Sequence, residues 1–120
     1  MTMTLKQIAM ALNLAVKSGE KLLDRKVMGG YAGDLLSDVL AHAREGQVWI
    51  TLQTHTNIVA VASTKEVCGI IIVNGRMPEE GTLRKAEEEQ IPILVSPLST
   101  YDVVCRLCEL GVKNGEGVQS

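Results

Sequence analysis

Three short polar turns hold the residues of this chain best suited to chemistry: Thr54-His55-Thr56, Asn74-Gly75-Arg76 and Ser99-Thr100. Each follows an apolar run and precedes a helical pattern. Free N–H groups and a partial positive charge gather at such helix starts, a combination that suits phosphate or carboxylate. Arg76 adds a guanidinium able to grip an anion through two hydrogen bonds. His55 adds an imidazole that can sense pH or hydrogen-bond a ligand. The candidate ligand-binding residues are therefore Thr54, His55, Asn74, Gly75, Arg76, Ser99 and Thr100. For each turn alone the ordinary alternative is helix capping by Thr56 or Ser99, or a tight turn at Asn74-Gly75. Their convergence on one edge is what favours a site.

Two other groups have reactive residue types. Asp34 and Asp38 stand one helical turn apart after Gly29, Gly30 and Gly33, which gives a metal or hydroxyl-binding reading. One pair of acids is few ligands for a dedicated metal site. The plainer reading makes Asp34 a helix cap and Asp38 a favourable first-turn charge. Cys105-Arg106-Leu107-Cys108 has C-x-x-C spacing, with Cys68 as a third thiol. The pair falls late in a helical pattern, where the helix dipole disfavours thiolate, and Cys108 shares an apolar stripe with Val104 and Leu107. Cys108 therefore reads as core, and a structural reading of the cysteines is favoured over a redox or zinc site. No P-loop and no G-x-S-x-G elbow is present, so neither kinase nor triad-hydrolase chemistry is indicated.

The elements that must position these turns follow from periodicity. Thr4 caps a helix over 5–12, and Leu14 to Val16 forms a short strand. The stretch 21–30 is ambiguous, with Gly29-Gly30 breaking any regular pattern. A helix over 35–44 faces Leu35, Leu36, Val39, Leu40 and Ala43 inward, and Glu45-Gly46 ends it. Strand 47–52 follows, then a helix over 57–65 that is apolar nearly all round and therefore buried. Strand 69–73, helix 79–89, strand 91–96 and helix 100–110 complete the alternation, with Leu83 and Ala86 as the inward contacts of the charged helix. Strands alternating with helices imply an α/β domain with a mainly parallel sheet of four to five strands and right-handed crossovers. Residues 1–113 form one domain and 114–120 a disordered tail.

Composition bounds the partners. The 120 residues hold 12 basic and 14 acidic side chains, a formal net charge of -2, which leaves no basic footprint for nucleic acid. Aromatics are only Trp49, Tyr31 and Tyr101, so base stacking on a strand of nucleic acid is poorly provided for. No apolar run approaches the ~20 residues of a membrane helix. The N-terminus lacks the order of a signal peptide, and three cysteines fit reduced thiols. A cytoplasmic domain is expected.

Several segments resemble the DRTGG domain family from about Tyr31 to Leu110. They are Glu45-Gly46 before Val48-Trp49-Ile50-Thr51, Ile70 through Gly75 with Pro78 shortly after, the passage Ala86 to Leu94, and Leu98-Ser99-Thr100. The second half is also similar to the N-terminal domain of bacterial HPr kinase/phosphorylase, to a middle domain of some phosphotransacetylases and to the insert between paired CBS domains of some pyrophosphatases. The chain departs from the family pattern at Gln53-Thr54-His55-Thr56, where an Asp-Arg-Thr run is expected, and at Asn74-Gly75 in place of paired glycines. The resemblance implies an HPr kinase N-terminal-domain-like fold and an accessory or regulatory module without chemistry of its own. Single-domain members imply a setting in hydrogenase-related systems.

The resulting expectation is a non-catalytic module without cofactor. It binds a small anionic metabolite or nucleotide and signals to a protein partner or, as a homodimer, to a second copy of itself. Two alternatives are a metal or redox accessory protein using Cys68, Cys105 and Cys108, and a purely structural dimer whose apolar surface is its function.

Overall fold

The computed structural model of the chain describes residues 2–115. Ten elements alternate: α1 (Leu5–Ala11), β1 (Ala15–Ser18), β2 (Gly29–Ala32), α2 (Leu36–His42), β3 (Gln47–Thr51), α3 (Asn57–Lys65), β4 (Gly69–Ile72), α4 (Glu80–Glu89), β5 (Ile93–Val95) and α5 (Thr100–Glu109), with a short 3-10 turn at Glu20–Leu22. The strands form one sheet in the order β1-β5-β4-β3-β2. β2 to β5 are mutually parallel, and β1 is antiparallel to β5. This is the mainly parallel α/β domain expected from the pattern.

The strand residues account for their positions. β3, β4 and β5 are buried along their whole length, as apolar runs covered on both faces must be, while β1 and β2 are part-exposed edges. On one face, Leu5 and Ile8 of α1 and Val103 and Leu107 of α5 pack with Val48, Ile50, Ile71 and Leu94. On the other, Val39, Ile58, Val59 and Ala86 from α2, α3 and α4 pack with Trp49, Ile70, Ile72 and Ile93. Helix α1 is started by a reciprocal capping pair, Gln7 N–H to Thr4 Oγ1 (3.2 Å) and Thr4 N–H to Gln7 Oε1 (2.9 Å).

Three expectations are corrected. Gly29-Gly30 opens strand β2 instead of breaking the pattern, because both pair in register with Gln47 and Val48 of β3. Helix α2 turns only Val39 and Ala43 fully inward; Leu35 is 68% exposed and Leu40 43%. Helix α2 lies over the edge of the sheet, where there is too little apolar surface to cover all five residues expected to face inward, and Leu35 and Ala43 fall at its caps. Of the expected tail, 116–120 lie outside the described residues, and Asn114 is held against the sheet. Its Oδ1 accepts from Gly30 N–H (3.0 Å) and Gln47 Nε2 (2.9 Å).

Candidate functional site

The four parallel strands end at Ala32, Thr51, Ile72 and Val95, so the loops that follow them share one edge of the sheet. All seven candidate residues fall on the β3–α3, β4–α4 and β5–α5 loops or at a helix start on that edge. The loops are bound together by backbone. Asn74 and Gly75 both adopt the left-handed conformation (φ 60° and 65°), which aims their N–H groups at the β5–α5 loop. Asn74 N–H donates to Leu98 O and Gly75 N–H to Ser96 O, each at 2.8 Å. Those two amides are therefore spent on loop packing. What this turn offers to a ligand is the side chains of Asn74 and Arg76, both exposed.

The β3–α3 loop is fastened on two sides. Thr54 O accepts from Thr82 Oγ1 (2.8 Å) and from Glu79 N–H (3.3 Å), tying the loop to the start of α4. On the other side, an Asp34 carboxylate oxygen accepts from Leu52 N–H (2.7 Å) and from the buried Thr51 hydroxyl (2.9 Å). Gln53 Nε2 donates to Asp34 O (2.8 Å). Asp34 thus does not cap α2 as expected. Leu35 holds the cap position without a side-chain bond, and the Asp34 carboxylate closes the end of β3 instead. Thr56 likewise gives α3 no side-chain cap, since its own backbone is already helical. Its hydroxyl faces that of Thr82 at 3.4 Å.

His55 is exposed, and its Nδ1 lies 3.3 Å from the Asn57 N–H. Ser99 performs the expected capping, accepting from Asp102 N–H at 3.2 Å, and Thr100 is the first residue of α5. The helix starts differ in charge. Helix α4 begins with Glu79 and Glu80, and α5 carries Asp102 in its first turn, whereas α3 has neither an acid in its first turn nor a side-chain cap.

The remaining reactive groups do not join this edge as one cluster. Asp38 accepts from the Tyr31 hydroxyl and pairs with His42 Nδ1 at 3.1 Å, so it does not combine with Asp34. Burial, and then the Asp38 bond, push the Tyr31 hydroxyl up to about 12. The Tyr31 bond chiefly, with a smaller contribution from His42, holds the Asp38 carboxyl below its usual range against desolvation. Cys68 is buried, which pushes its thiol up to about 12. Cys105 and Cys108 are exposed, a correction for Cys108. The buried stripe of α5 runs through Val103 and Leu107, and Cys108 lies one position off it.

Thr82 and Asp34 organise the loops without having been singled out for that role. Both bonds span more than fifteen residues, and nothing local in the sequence marks them.

The fold is an open, mainly parallel α/β sheet with polar loops on its carboxyl edge, the edge where ligands bind in sheets of this kind. The DRTGG domain pattern matches residues 7–110, and the chain belongs to the DRTGG domain family. The match takes in α1 and β1, upstream of the segments that carry the resemblance in sequence. A solved structure similar in fold is the CBS and DRTGG regulatory region of a Clostridium perfringens pyrophosphatase, complexed with the activator diadenosine tetraphosphate. It matches with a TM-score of 0.69 and 16% identity over 98% of this chain and 53% of that one. The chain thus spans about half the length of that relative. No curated protein matches significantly.

Proposed function

We propose that this domain is a non-catalytic ligand-sensing module that binds a small anionic metabolite or nucleotide at the carboxyl edge of its sheet. Thr54, His55, Asn74, Gly75, Arg76, Ser99 and Thr100 line the site. The observation that carries this reading is the meeting of three loops at one edge, with Arg76 and His55 exposed beside a helix start that has no acid in its first turn. The activator in the related pyrophosphatase region is a polyphosphate nucleotide, which favours the nucleotide branch; the half of that chain without a counterpart here leaves its seat uncarried. The ligand acts by shifting population between two states for which it has different affinity. The output passes to a partner protein or to a second copy in a homodimer. The family resemblance supports a hydrogenase-related setting, and the three cysteines, as reduced thiols, fit a cytoplasmic one.

A thermal-shift panel of nucleotides, acyl phosphates and phosphorylated metabolites tests the reading. A ligand at ~100 times its dissociation constant adds about 2.7 kcal/mol. Arg76→Ala is expected to weaken the ligand found by roughly tenfold or more, the worth of a charged hydrogen bond. The melting temperature without ligand should stay nearly unchanged, because the side chain is exposed. Unchanged affinity in that variant removes Arg76 from the site. A flat panel on folded protein removes the ligand reading.

A further inference from the structure

The two edges of the sheet are protected in different ways. At β1 the register with β5 shifts between Val16 and Ser18, and the exposed Lys17 sits at that irregularity. A bulge and a lysine are permanent guards against pairing with another strand. At β2 the residues are Gly-Gly-Tyr-Ala, paired with β3 in unbroken register, with neither a bulge nor a charge. What covers this edge is the segment after α5.

That segment passes around β2 from one face of the sheet to the other. Gly111 turns the chain off α5 with φ +89°, and Val112 is buried in the core on the α1–α5 face with Val48 and Leu107. Asn114 lies on the opposite face. Its Oδ1 accepts from the buried Gln47, whose side chain shares the face of Trp49 by strand alternation, and from Gly30 N–H. A Cβ on Gly29 would stand 2.3 Å from that same oxygen, so glycine there makes room for the contact. Among the described residues no backbone hydrogen bond ties Lys113 or Asn114 to the sheet. Gly111 and Val112 are still tied to the end of α5, by N–H bonds to Cys108 O (3.0 Å) and Leu107 O (2.9 Å); beyond the buried Val112 the strap is held by one side-chain oxygen.

We propose that Gly111–Asn114 is a latch that opens without unfolding the rest of the domain. Opening frees the Gly30 N–H and the β2 edge. It also joins two cavities that share Asn114 as a wall. One, of about 710 Å3, is polar and reaches His42 and Arg44; the other, of about 270 Å3, is apolar and reaches Ile50 and Val104. Segments with few buried contacts and few backbone bonds are those that open locally. The latch stands independently of the ligand reading, and it supplies a second state that a sensor could use.

Residue-resolved amide exchange on the full chain tests it, with increasing sub-denaturing urea. In the wild type the Gly30 amide is expected to exchange at a rate nearly independent of urea, while Ile50 and Ile71 follow global unfolding. N114A, which removes both bonds to the Asn114 oxygen, and G29A, whose Cβ displaces it, should each speed Gly30 roughly tenfold, the scale of a net hydrogen bond. N114D should stay close to wild type at neutral pH, because a carboxylate still accepts both bonds. Gly30 exchange that tracks urea as Ile50 does, or that is unmoved in N114A, overturns the latch. If G29A fails to fold, the wild-type urea dependence and N114A still decide.

Discussion

Replacing Trp49 by alanine is expected to lower the unfolding free energy by about 3–5 kcal/mol, the range for deleting a buried indole. Trp49 is fully buried at the centre of β3, among Val39, Ile58 and Ile70. Its indole N–H also donates to Gly33 O at 2.9 Å, fastening the turn that carries Asp34 to the sheet. The substitution thus leaves a cavity beneath α2 and α3 and frees one end of the carboxyl-edge loops. The melt should fall by on the order of 10–20 °C. Circular dichroism is the suitable probe, since Trp49 is the only tryptophan. Trp49→Phe separates the two contributions: it restores most of the packing but leaves the Gly33 carbonyl without its donor. A loss for Trp49→Ala below about 1.5 kcal/mol would mean that α2 and α3 collapse into the space, contrary to the close packing argued for that face.

Ser18→Ala is the second large effect, and it comes from hydrogen bonding. Ser18 is 1% exposed, and its hydroxyl works in both directions: it donates to Ile91 O and accepts from Ile93 N–H, each at 2.9 Å. These bonds replace the ladder where the β1–β5 register shifts. Alanine leaves a buried carbonyl and a buried N–H without partners, and each orphan costs about 1–3 kcal/mol, so a loss of about 2–6 kcal/mol is expected. In urea the midpoint should drop with the slope unchanged. The neighbouring Lys17→Ala, exposed, should stay within about 0.5 kcal/mol of wild type. Equal stability of the Ser18 and Lys17 variants would show that water takes the hydroxyl's place.

The alternation from Gly69 to Glu109 was legible in the sequence because each strand is a continuous apolar run closed by Asn-Gly, Pro or Ser-Thr, and such breakers act locally. The seven candidate residues were likewise placed on one edge by topology alone, since parallel strands send their following loops the same way. What stayed hidden depends on partners distant in sequence. Gly29-Gly30 looks like a break until β3 is there to pair with it. Asp34 looks like a cap until the end of β3 offers a hydroxyl and an amide. Leu35 and Leu40 fit an inward stripe by spacing, but spacing does not say that the helix lies at the sheet's margin. Asn114 lies in a run of glycine and polar residues, and only the fold brings it back to Gln47. Within the site, the Asn74 and Gly75 amides looked available and are in fact bonded to Leu98 and Ser96, which leaves side chains, above all Arg76, to meet a ligand.

The most direct test of the central claim is to map binding by amide chemical shifts, titrating the labelled domain with the nucleotides and phosphorylated metabolites that stabilise it. The account predicts that the largest changes cluster at Thr54–Thr56, Asn74–Arg76 and Ser99–Thr100, and that Arg76→Ala suppresses them together. Saturable changes centred elsewhere, such as around His42 and Arg44 at the opposite end of the sheet, or no saturable change with any of these compounds, would contradict it.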